Sequence, residues 1–152
     1  MGSPHVTSHP RSARGFTLVE IMVVVAIIGL LAALAIVGLR NSRERTLGTR
    51  IANDLRQFQT AFAAYSFEHS GWPPAAGAGV IPTGMEGYLS RSYLNTVEPG
   101  GAYSWSGESG QLQFTPSAAN ERVMQIVDSI IDNGDPASGA FTGSGTRYQL
   151  QL

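Results

Sequence analysis

The chain has 152 residues, 43% apolar and only 14% charged, with ten arginines and no lysine against eleven acids, and no cysteine. Lacking cysteine, it has no disulfide framework, zinc knuckle or thiol nucleophile; lacking lysine, it has no G-x-x-x-x-G-K-[ST] phosphate loop, Schiff base or lysine general base. A formal charge of −1 gives no overall attraction to nucleic acid, so none is predicted as a partner.

Residues 1–15 are rich in Ser, Pro and His and end with Arg11 and Arg14 close to an apolar stretch. From Ile21 to Leu39 there are 19 consecutive residues without a charge, Asn, Gln, Ser, Thr or Pro. As a helix this run is about 28 Å long, close to the ~30 Å hydrocarbon layer of a bilayer. A buried core helix of that length would carry a polar stripe, and this one has none. A secretory signal would be cut after the apolar run at a small-residue step, but Ala32, Ala33 and Ala35 lie inside it. Arg40, Arg43, Arg45 and Arg50 follow the run and outnumber the leader arginines, so positive charge alone favours the reverse membrane orientation.

The residues Arg14-Gly15-Phe16-Thr17-Leu18-Val19-Glu20-Ile21-Met22 closely resemble the prepilin signal of type IV pilins and type II secretion pseudopilins. The resemblance is close over residues 11–39 and looser beyond. It implies cleavage between Gly15 and Phe16 by a membrane prepilin peptidase that also methylates the new amine. That cut leaves 137 residues with the apolar helix retained. It divides the chain into a leader at 1–15, a membrane and assembly helix at 16–39, and a periplasmic domain at 40–152. A carboxylate at Glu20 costs about 2.5–3.5 kcal/mol at mid-bilayer, less near the interface, so it needs a partner. The Phe16 amine of a neighbouring subunit would supply one, making Phe16 and Glu20 the assembly residues. Such a pair specifies register more than strength.

After Arg40, Leu47, Ile51, Leu55, Phe58, Phe62 and Tyr65 recur at spacings of 4, 4, 3, 4 and 3, one face of a helix. No proline intervenes before Pro73, so one helix is predicted over residues 16–69, about 80 Å long. Gly29, Gly38 and Gly48 are its weak points, each costing about 1 kcal/mol relative to Ala. Phe58, Phe62 and Tyr65 are assigned to core packing rather than to an aromatic conduit. Residues 70–74 end the helix and 75–84 form a loop. A short helix is predicted at 85–94, a hairpin from strands 103–105 and 112–114, a helix over 118–132 with Val123, Ile126, Val127, Ile130 and Ile131 on its apolar stripe, and a strand at 147–152. The fold class is therefore α+β, a long helix packed on a small antiparallel sheet, as in the pilin-like fold.

Asp132, Asn133 and Asp135 offer oxygen ligands around a turn, with Asp128 one helical turn earlier, and are candidate calcium ligands. Major pseudopilins stabilise a C-terminal loop with calcium, which the resemblance extends to this chain. D-N-G-D is equally ordinary helix-stop and turn chemistry. No enzyme is predicted: G-x-S-x-G and G-x-G-x-x-G are absent, and His69 is the one histidine outside the leader, placed to favour a helix C-terminus. The resemblance implies a structural subunit, anchored once in the inner membrane, that polymerises with itself and other pilin-like subunits on an inner-membrane assembly platform. The product is a periplasmic type II secretion pseudopilus or an extracellular type IV pilus. The alternative is a minor, tip or competence pilin acting as a binding module.

Overall fold

The computed structural model describes residues 15–94, 101–117 and 120–152. A single helix, α1 (Leu18–His69), runs through two compact units, Met1–Leu39 and Arg40–Leu152. In the first unit the helix is apolar on every face apart from Glu20 in its first turn. An 18-residue window within α1 reaches a mean hydropathy of 3.0 with none of it buried, enough by length and composition to cross a membrane.

In the second unit, α1 lays Ile51, Leu55, Phe58 and Phe62 into a core, all at most 2% exposed. These are the central members of the predicted stripe; Leu47 and Tyr65 flank the core, half-buried. Four strands follow: β1 (Gly101–Trp105), β2 (Gln111–Pro116), β3 (Phe141–Ser144) and β4 (Arg147–Gln151). They form one antiparallel sheet in the order β1-β2-β4-β3. Strand alternation sorts its faces. Trp105, Leu112, Leu150 and Phe141 align across the sheet in one inward row, while Ser104, Gln113, Gln149 and Thr142 align in an outward, uncharged polar row. Phe62 stacks on Trp105 with centroids 4.0 Å apart, and Phe58 meets Tyr93 and Tyr103 edge-on at 5.1 and 4.8 Å. The aromatic side chains therefore fill the interface between helix and sheet.

The second helix, α2 (Glu121–Ile131), starts on Asn120, whose side chain accepts from the Val123 amide at 3.2 Å. It buries Val123, Met124, Val127 and Asp128, whereas Ile126 and Ile130 are half-buried. Three contacts fix it beside α1: Arg122 pairs with Glu44 at 3.3 Å, Ile126 packs over Gly48, and Arg56 donates to the Ile130 carbonyl. A Cβ on Gly48 would lie 2.7 Å from Ile126 Cγ2, so this glycine lets the helices approach.

Two sequence expectations change. Residues 85–94 form successive turns and a 3-10 turn at Arg91–Tyr93 instead of a helix. Pro82, Gly84 and Gly87 break any longer run, and Met85, Leu89 and Tyr93 are nevertheless buried. Strand β3 was not expected; its Phe-Thr-Gly-Ser sequence carries one apolar side chain and no alternation.

Candidate functional site

The chain enters α1 through Gly15, Phe16 and Thr17, which precede the first helical residue, Leu18. Thr17 is the cap: its hydroxyl oxygen accepts the Glu20 amide at 3.3 Å, and its carbonyl accepts the Ile21 amide at 3.3 Å. Thr17-Leu18-Val19-Glu20 thus has the sequence of a capping box, with the threonine half formed and the acid in the first turn, where the helix dipole favours it. Sequence analysis singled out Glu20 but missed this role of Thr17, although the T-x-x-E spacing signalled it. Phe16 is 75% exposed, and Glu20 is exposed among Leu18, Val19, Ile21 and Met22, which are all exposed too. Within its own unit, the sole acid of this apolar segment makes no ion pair among the described residues. Gly29 and Gly38 have nothing of the chain within 4 Å of where a Cβ would stand, so they present bare backbone on the helix surface.

The proposed calcium loop lies at the C-terminal end of α2. The three predicted ligands mostly serve the loop itself. Asp132 Oδ2 accepts from the Ala140 amide at 2.5 Å, Asn133 Oδ1 from the Asp135 amide at 2.8 Å, and Asp135 Oδ1 from the Ala137 amide at 3.1 Å. Ser138 donates to Asp135 Oδ2 at 3.2 Å and accepts from Asn133 at 3.1 Å. This is side-chain turn chemistry. Gly139 lies beneath the Asp132 carboxylate at φ 99°, where any side chain would collide with it.

Asp128 differs. It is 0% exposed, and neither carboxylate oxygen has an aligned hydrogen bond. Burial pushes its pKa above the ordinary carboxylate value, the charges of Asp132 and Asp135 push the same way, and the nearby Gly134 and Asp135 amides oppose them. Those orphaned oxygens are the feature of this loop that fits a hard cation. Among the described residues, no three His, Asp or Glu side chains are gathered as a metal site. At the end of α1, His69 Nδ1 lies 3.0 Å from the Tyr65 carbonyl and its ring stacks on Tyr65 at 4.1 Å, a local helix-end contact as expected.

An exposed apolar helix long enough to cross a membrane, continuing into a small α+β domain and opening on G-F-T-x-x-E, is the pattern that the comparisons with known proteins address. Residues 10–36 match the family model described as the prokaryotic N-terminal methylation motif. Fimbrial protein Q of Moraxella bovis is 31% identical over 138 residues, covering 85% of this chain and 83% of that protein. Type II secretion system core protein G of Klebsiella michiganensis is 35% identical over 63 residues, 41% of this chain and 44% of that protein. The type IV major alpha-pilin of Moraxella bovis is 42% identical over 55 residues, 36% of this chain and 35% of that protein. No solved structure matches. The chain belongs to the family of type IV pilins and type II secretion pseudopilins, whose members are structural subunits rather than enzymes.

Proposed function

We propose that this chain is a filament subunit, cut between Gly15 and Phe16 by a prepilin peptidase, held in the inner membrane by its apolar helix and then polymerised through that helix. The observation that carries this reading is the exposed apolar stretch of α1 with a single acid, Glu20, in its first turn. In lipid the helix needs no protein partner; outside lipid its surface must be covered, and sister helices of the same sequence supply that cover.

The sheet supports assembly through the helix rather than by strand addition. Trp105 of β1 exchanges backbone hydrogen bonds with Ala76 at 2.9 and 3.0 Å, and the Gly143 amide of β3 donates to Pro136 at 2.9 Å. Both edge strands already carry backbone partners, which discourages strand pairing between molecules. The match over most of the length of one fimbrial protein supports a surface pilus, while the type IV major alpha-pilin and the type II secretion protein each match over under half of their length.

The test replaces Glu20 by leucine. The variant is expected to insert and to be processed, but to yield filaments at a small fraction of the wild-type amount by shearing and electron microscopy. Wild-type yield from processed Glu20→Leu protein would falsify the role given to this acid.

A further inference from the structure

We propose that the arginines following the apolar run form a binding site for the phosphodiester headgroups of anionic membrane lipid. The inference rests on the membrane-inserted reading above and adds a ligand to it. Arg40, Arg43, Arg45 and Arg50 fall within 11 consecutive positions of α1, and all four are exposed. Glu44, the one acid among them, is taken by Arg122 of α2 at 3.3 Å. Arg50 faces Asp54 one turn on. Among the described residues no carboxylate pairs with Arg40, Arg43 or Arg45.

Two of the four arginines share a groove, and Arg43 borders a second one beside Glu44. Arg45, Thr46, Thr49, Arg50, Asn53 and Asp54 line a shallow groove of about 490 Å³. The Thr46 and Thr49 hydroxyls donate back to the Ser42 and Arg45 carbonyls at 2.9 Å, and Asp54 faces Arg50, which leaves the Arg45 guanidinium and the Asn53 amide as the outward donors. A phosphodiester is an acceptor-only anion and matches such a donor set. Position selects the source of the phosphate. Arg40, Arg43 and Arg45 fall within about 9 Å of the last apolar residue along the helix, the depth at which lipid headgroups lie. Their alkyl stems can lie along the apolar surface while the guanidiniums stay among the phosphates. Four arginines beyond the span also run against the usual charge bias for a translocated segment. Headgroups give them a counter-ion while the subunit waits in the bilayer, and those contacts must be surrendered when it leaves for a filament.

The processed full-length chain is placed in nanodiscs of equal phosphatidylglycerol and phosphatidylcholine, and the lipids retained through delipidation are counted by native mass spectrometry. Wild type is expected to retain phosphatidylglycerol in several-fold excess, and the double variant Arg43→Gln/Arg45→Gln should bring retention of the two lipids close to parity. Glutamine preserves helix propensity, so folding is not at stake. Equal retention of the two lipids by wild type overturns the proposal while leaving membrane insertion intact. A double variant that keeps the lipid preference but loses filaments also overturns it, assigning the arginines to acidic groups of a second copy. Exclusion from nanodiscs of either lipid overturns the membrane reading itself.

Discussion

Thr17 caps the start of α1 beside Glu20, the acid proposed here as an assembly residue. The cap fixes the first turn by giving the Glu20 amide a partner, and so fixes where the carboxylate leaves the helix. Thr17→Val keeps the shape and removes the acceptor. We expect the first turn to fray, losing about 1 kcal/mol of local stability, visible as faster amide exchange at residues 18–21 in micelles; unchanged exchange contradicts the cap. Asp128 poses the opposite problem, a carboxylate enclosed without aligned donors. Below the ordinary pKa of 3.8 it is protonated both folded and unfolded. Above that value the unfolded chain ionises freely while the buried group resists. Stability from this residue is therefore present at low pH and is lost as pH rises through the elevated folded pKa. Asp54 is shifted the same way, chiefly by burial, against its hydrogen bond from Tyr103 and the charge of Arg50. Asp128→Asn should flatten the decline and raise neutral-pH stability by about 1 kcal/mol in urea titrations. Where calcium occupies the loop, millimolar calcium raises the melting temperature of wild type but not of Asp128→Asn; a melting temperature indifferent to calcium and to chelator contradicts the ion.

Among the elements, α2 depends most on one position. Gly48 reads in sequence as a defect in α1, yet it is buried at the crossing and faces Ile126 and the Val123 carbonyl. Gly48→Ala gains helix propensity but forces the crossing apart, and overpacking outweighs propensity here. We expect a net loss of about 1–2 kcal/mol in thermal unfolding, partly recovered by adding Ile126→Val; an unchanged or higher melting temperature contradicts the crossing. The exposed Arg122–Glu44 pair should matter far less, under about 1 kcal/mol. Periodicity made both helices, the hairpin and β4 legible, because their apolar residues recur at 3.6 or 2 over enough positions to choose between templates. It failed where tertiary packing decides. Residues 85–94 are apolar enough for a helix, but buried turns serve the core there, and β3 exists because β4 offers it an edge. Asp128 was legible only in part. It stands four residues after Met124 and next to Val127 on the buried face, a spacing that signalled burial, whereas its D-N-G-D surroundings signalled turn chemistry.

For the whole molecule, two units divide the labour. Arg40–Leu152 has its own core, with backbone partners at Tyr103 and Trp105 on one sheet edge and at Gly143 on the other, and a neutral outer row of Ser104, Gln113, Gln149 and Thr142. The apolar stretch of α1 is exposed, and in the proposed function lipid or sister helices cover it. Every later step of the proposed assembly depends on that stretch surviving processing with Phe16 at its head. The most direct measurement is intact and N-terminal peptide mass spectrometry of the protein recovered from sheared filaments. The account predicts a chain that begins at Phe16 and carries one methyl group on its amine; a chain that begins at Met1, or downstream of Leu39, contradicts it.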